Sequence, residues 1–287
     1  MRDFALFTDS GCDISPELLT RWGVVSLPLS LRFEGEDAEY KDGDMDILAF
    51  YDRMRAGGVA KTAALNPNAF IDAFTPVLES GRDVLYLAFS SGLSTTCNSA
   101  RLAAGMLKET YPDAAVTVVD TLCASAGQGL LVYLVAEKKK AGATLEECEA
   151  YAKELLPSLV HWFTVDDLVY LKRGGRVSAA AAFVGGLIGI KPVLHVDDEG
   201  HLIPMSKVRG RKMALSAMAD TFAASVLDPK GPVFISHADC RGDAETLAGI
   251  LKDKCGAEVM LYTDIGAVIG AHAGPGTLAL FYLGNQR

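Results

Sequence analysis

Val84-Leu-Tyr-Leu-Ala-Phe89, followed by Ser90-Ser-Gly-Leu-Ser-Thr-Thr-Cys-Asn-Ser99, decides the fold class. The first part is a short run of apolar, β-branched and aromatic residues, the pattern of a strand buried in a parallel sheet. The second part is crowded with hydroxyls and leads into Ala100-Arg-Leu-Ala-Ala-Gly-Met-Leu107, a good helix-forming run. Strand, polar loop and helix is the α/β arrangement in which ligands bind at the carboxyl ends of strands. Ser94 is placed to cap the helix, so amides from Thr95 onward are expected to face the loop. Free N–H groups and the positive end of a helix dipole favour a small anion there. A serine-capped helix start needs no ligand, but five Ser or Thr hydroxyls between Ser90 and Thr96 point to a binding loop.

Toward the N-terminus, Phe4-Ala-Leu-Phe7 predicts a first strand ending in Thr8-Asp-Ser-Gly-Cys-Asp13. Asp9 and Asp13 there are read equally well as turn and cap chemistry or as part of a site. Ser15-Pro16 opens a helix with Ser at the N-cap and Pro at the first position. Val24 to Phe33 reads as a second strand, followed by an acidic excursion to Asp44 and a helix from Ile47 to Arg55. Gly57-Gly-Val-Ala-Lys61-Thr62 lacks the glycines of a nucleotide phosphate loop, because Ala60 and Arg55 stand in their places. Asn66-Pro67 starts the next helix. Toward the C-terminus, Ala115 to Val119 is a strand, Ser125 to Lys140 a helix, and Thr144 to Leu156 a helix with Thr144 and Glu147 as a capping box. This alternation from residue 4 to 156 predicts a parallel sheet covered on both faces.

After Pro157 the rhythm changes, so the expected domains are 1–157 and 158–287. Val160 to Val165 is strand-like, and Lys172-Arg-Gly-Gly-Arg176 gathers three cations around two glycines, where an anion can approach the backbone. Ser178 to Ile190 reads as a helix of small residues, ended by Lys191-Pro192 and able to line a slot for an alkyl chain. Val193–Val196 and His201–Val208 flank a hairpin turn at Asp197–Gly200. Lys207, Arg209, Arg211 and Lys212 follow, then strands at Val233–His237 and Val259–Tyr262, and a last strand from Thr277 to Leu283. His161, His195 and His201 sit in strand-like runs and read as structural; His237 could be either. His272 lies among glycines in an expected loop, with room to meet a ligand.

The chain has 287 residues, half of them hydrophobic and 22% charged, which is globular composition with room for two cores. A net charge of −9 argues against nucleic acid as the main partner. Six scattered cysteines without a C-x-x-C pair suggest free thiols rather than zinc, and no metal site is expected. No signal peptide or transmembrane segment is read, so the expectation is a soluble cytoplasmic protein, with transient membrane contact left open.

Taken together, Thr8-Asp-Ser10 with Asp13, Lys61-Thr62, Ser90-Ser91-x-Leu93-Ser94, Tyr170-Leu-Lys-Arg-Gly-Gly-Arg176, Lys191-Pro192, Arg209 and His272-x-Gly274-Pro275 resemble the DegV family, the fatty-acid-binding proteins that serve bacterial fatty-acid kinases. The matches run in order along almost the whole chain. The resemblance implies an α/β fold of two domains, a parallel three-layer domain and a smaller mixed-sheet domain, with a long-chain fatty acid between them. It implies that Thr62 and Ser94 bind the carboxylate with His272 beside it, and that Arg176, Arg209 and His272 assist phosphoryl transfer or partner docking; Thr95 is expected among the ligand-binding residues. It implies no cofactor on this chain, ATP being bound by a separate kinase protein. Ala63-Ala-Leu65 and Thr95 depart from the family's usual Ser-Pro and Gly. Two other functions stay open at this point: a lipid transport or storage protein without a kinase, and a self-sufficient small-molecule enzyme using His272.

Overall fold

The computed structural model describes residues 2–177, 189–285 and 287. A four-stranded parallel sheet is formed by β1 (Phe4–Asp9), β2 (Val24–Leu27), β6 (Asp83–Ala88) and β7 (Val116–Asp120), in the order β2-β1-β6-β7. Both β1 and β6 are buried along nearly their whole length, and their side chains alternate between two cores. Ala5, Phe7, Val84 and Tyr86 pack against α3 (Pro67–Glu79) and α4 (Thr96–Thr110). Phe4, Leu6, Leu85 and Leu87 face α5 (Ala126–Lys140) and α6 (Leu145–Leu155).

The expected single strand from Val24 to Phe33 is two strands in two sheets. Pro28 lacks a donor and interrupts the ladder, and β3 (Ser30–Phe33) then pairs with β4 (Tyr40–Lys41) and β5 (Ala60–Ala63) in a small antiparallel sheet. Lys61-Thr62 is therefore on a strand, with Thr62 opposite Leu31. The Ser15, Asn66 and Thr144 caps form as expected, the last as a complete capping box with Glu147. Ser94 does not occupy the N-cap of α4: Thr95 does, with no side-chain cap bond. The Ser94 hydroxyl instead accepts the Thr96 amide at 3.2 Å in a local two-residue turn.

A six-stranded mixed sheet has the order β10-β9-β8-β13-β11-β12. Its strands are β8 (Leu159–Thr164), β9 (Ile190–Val196), β10 (Leu202–Arg209), β11 (Phe234–His237), β12 (Leu261–Asp264) and β13 (Leu278–Leu283). Only β11 and β12 pair in parallel. The helix expected from Ser178 falls mainly outside the described residues, but Ile190, Lys191 and Pro192 already belong to β9. Pro192 is tolerated there because pairing with β8 begins only at Val193. One face of this sheet packs on α8 (Arg211–Ser225) and α9 (Arg241–Cys255). The other contributes Phe163, Leu194, Phe234, Ala279 and Phe281 to the core that holds α5.

Helix α5 is thus shared by both sheets, which explains its lack of a polar face through the first three turns. Its glycines allow the close approach. A Cβ at Gly127 would lie 2.1 Å from His161 Nε2, and one at Gly129 would lie 2.5 Å from Ile14 Cδ1. Among the described residues, no helix is long and apolar enough to cross a membrane, and all six cysteines are free thiols.

Candidate functional site

A cavity of about 470 Å³ opens between the carboxyl ends of the parallel strands, the small antiparallel sheet and the mixed sheet. That volume is in the range of small-molecule sites. Leu29, Phe89, Phe163, Leu171, Ile265 and Phe281 supply apolar walls from all three sheets and their connections. Thr62, Ser94, Thr95, Arg176 and His272 also line it.

These polar residues are joined through a chain of contacts. Leu93, beside Ser94, accepts a hydrogen bond from Arg176 Nε at 3.2 Å, and Arg176 Nη1 donates to the Gly174 carbonyl at 2.5 Å. Gly174 ends α7 (Val169–Gly174) and lies against the His272 ring. His272 Nε2 is 2.8 Å from Thr62 Oγ1. Four segments distant in sequence thereby converge on one wall. His272 is on α10 (Ala267–Ala273), not in the expected loop, because Gly266 serves as an N-cap and the turn of glycines begins only at Gly274. Arg209 is not brought to the cavity: it is exposed at the end of β10, opposite Ile190.

Arg176 is the one ionised side chain among the described lining residues. Burial, and then the Arg176 charge, push His272 down to about 4, so its imidazole is neutral near pH 7. Among the described lining residues, an anion entering this cavity meets one cation, neutral donors and no carboxylate. Thr95 has helical backbone angles, φ −77° and ψ −1°, so its side chain carries no conformational cost there.

Asp9 and Asp13 resolve as framework. Asp9 accepts bonds from the Gly11 amide, the Tyr86 hydroxyl and the Phe89 amide. Asp13 accepts from the Ser125 hydroxyl and from the Gly266 amide at 2.9 Å, tying the turn after β1 to the start of α10. Burial raises the pKa of both carboxyls. Ser90 is also structural, its hydroxyl donating to the Gly200 carbonyl at 2.9 Å in the hairpin turn.

Ser91 of the hydroxyl-rich loop lines the cavity too, as do Ser125, His161 and the apolar residues of β8 and β13, which no motif marks. The alternation His161, Phe163 on β8 and Ala279, Phe281 on β13 was the available signal, since residues two apart share a face. It marks a buried face without saying that the face borders a cavity.

Comparison with known proteins agrees with this arrangement. The DegV family model matches residues 3–285. A DegV domain-containing protein of Clostridium perfringens is 40% identical over 289 residues, covering 100% of this chain and 99% of that protein. A Thermus thermophilus DegV family protein whose structure is described for its fatty acid binding is 32% identical, with a TM-score of 0.87 over 99% of this chain and 100% of its own. A DegV lipid binding protein of Thermotoga maritima is 31% identical, with a TM-score of 0.85 and full coverage of both chains. The fatty acid binding protein DegV of Bacillus subtilis is 27% identical, with a TM-score of 0.84 over 99% of this chain and 100% of that one. With the family model matching nearly the whole chain and a relative 40% identical along its full length, the chain belongs to the DegV family.

Proposed function

We propose that this chain binds a long-chain fatty acid in the cavity and presents its carboxylate to a separate ATP-dependent kinase. The observation that carries the reading is a mostly apolar cavity whose lining includes the donors Thr62, Ser94 and Arg176 and, among the described residues, no carboxylate. Each buried CH₂ of an acyl tail contributes roughly 0.8 kcal/mol, so the tail supplies affinity while the donors select an anionic head group. The related fatty-acid-binding structures support the ligand class. In this reading residues 1–157 carry the carboxylate-binding loops and residues 158–287 line the acyl slot. The Thr95 amide adds the positive end of α4 near the head group.

Phosphorylation forms a bond between a carboxylate oxygen and the γ-phosphorus and breaks the bond to the bridging oxygen, releasing ADP. Arg176, exposed at the cavity, offsets charge on the transferring group. Arg209, exposed and remote from the cavity, serves partner docking. No ATP-binding loop was read in the sequence, which favours a two-protein reaction over a self-sufficient enzyme. The test is acyl phosphate formation, trapped as a hydroxamate, with a fatty-acid kinase and ATP added. Formation only with both proteins present supports the proposal. Fatty acid binding with no acyl phosphate from any such kinase would overturn the presentation step, and a transport or storage role would replace it.

A further inference from the structure

We infer that Gly174 is a positioning residue that fixes which nitrogen of His272 carries the proton, and thereby commits the Thr62 hydroxyl to donate toward the bound head group. A Cβ built on Gly174 would lie 2.1 Å from His272 Nδ1 and 3.1 and 3.2 Å from the flanking Cγ and Cε1. Near-equal distances to the two flanking carbons place that direction along the outward axis of Nδ1, where a proton on this nitrogen would sit. The glycine Hα occupies the same direction. A proton on Nδ1 would be driven into it, and Nδ1 has no hydrogen-bond partner to receive that proton. The lone pair, by contrast, tolerates a Cα–H.

The neutral ring therefore carries its proton on Nε2, and Nε2–H donates to Thr62 Oγ1 at 2.8 Å. The Thr62 hydroxyl, already an acceptor from the ring, keeps its own proton for the cavity. With the opposite tautomer the hydroxyl proton would be consumed by Nε2, leaving a lone pair to face the ligand. The site is thus set to receive an acceptor-only head group such as a carboxylate; this consequence rests on the fatty-acid reading, whereas the tautomer itself does not. Gly174 and Arg176 share the segment that closes on Leu93, so displacing that segment would free Nδ1 and release the constraint on Thr62.

The tautomer is read directly from long-range ¹H–¹⁵N correlation spectra of the full chain with ¹⁵N-labelled histidine, the His272 signals being those lost in His272→Gln. An Nε2–H imidazole at neutral pH in the ligand-free protein is expected; an Nδ1–H imidazole or an imidazolium would overturn the inference. A second measurement compares two amide replacements for palmitate affinity. His272→Gln, whose amide nitrogen reaches the depth of Nε2, is expected to stay within a few-fold of wild type. His272→Asn, which reaches only the depth of Nδ1, is expected to lose about ten-fold or more. Equal losses in the two variants would contradict the donor role. Gly174→Ala is expected to disturb the His272 signals and weaken palmitate binding by about ten-fold or more. Should that variant fail to fold, the wild-type spectrum still decides. An Nε2–H ring in a protein with no affinity for palmitate would overturn the head-group consequence and the fatty-acid reading together.

Discussion

Asp42 and Ala267 are 225 positions apart, and the Asp42 carboxylate accepts the Ala267 amide at 3.0 Å and, through the same oxygen, the Val268 amide at 3.4 Å. This bond anchors the start of α10, the helix that ends near His272. Asp13 holds the preceding residue, Gly266, so two acidic residues from the first part of the chain position a helix that lines the cavity from the second. Asp42→Ala leaves the two amides without their acceptor and is expected to cost about 1–3 kcal/mol in urea unfolding. Fatty acid affinity should fall with it, because the Thr62–His272 pair loses its support. Unchanged stability and affinity would show that α10 is held by packing alone.

Thr62→Val removes the hydroxyl and preserves the side chain's volume. Loss of a hydrogen bond to a charged group corresponds to about 1.5–3 kcal/mol, so the Kd for palmitate is expected to rise by at least ten-fold. Thr62→Ser should retain most of the affinity. Isothermal titration calorimetry checks both, and a Val variant that binds like wild type would remove Thr62 from the head-group site.

The pH dependence of stability follows from His272. Its value of about 4 lies below the ordinary 6.5 because burial and the Arg176 charge disfavour the imidazolium. As pH falls, the unfolded chain takes up this proton first. The stabilising difference is therefore fully present above about 6.5 and is lost as pH falls from 6.5 to about 4. His161, His195 and His237 are shifted in the same direction by burial, so the comparison must be between wild type and His272→Gln. Wild type is expected to lose more stability than the variant between pH 7 and pH 5. Parallel losses would mean that His272 titrates normally in the fold.

Much of the fold was legible because local rules and packing agree over long stretches. The apolar run at Val84–Phe89, the Ser15 and Asn66 caps and the Thr144–Glu147 box each depend on residues close in sequence. Pro28 could have announced the break between β2 and β3, but nothing local says that the two strands enter different sheets. Of the polar residues that the motifs mark, Thr62, Ser94, Thr95, Arg176 and His272 line one cavity, whereas Arg209 lies away from it. The cavity's greasy walls were not legible, because Phe163 and Phe281 look like any buried strand residue until the neighbouring sheet is in place. Nor do the glycines of α5 reveal that the helix is clasped by two sheets; its packing against Leu6 and Leu85 of one sheet and Phe234 and Phe281 of the other does so.

Ala279 offers a way to shorten the cavity. It is buried on β13, lines the cavity and stands opposite Phe163 in the sheet. Ala279→Phe is expected to fill space otherwise available to the acyl tail and to shift binding toward shorter chains. Each methylene excluded removes roughly 0.8 kcal/mol, so a loss of about three methylenes gives a fifty-fold discrimination or more. Competition between laurate and stearate checks this. An unchanged preference would place the tail elsewhere.

The most direct measurement is native mass spectrometry of the purified chain, with a lipid extract of the same sample identified by mass. The account predicts one fatty acid per polypeptide, displaced or strengthened by added long-chain acid and weakened in Thr62→Val. A bare polypeptide mass that stays bare after fatty acid is supplied would contradict it.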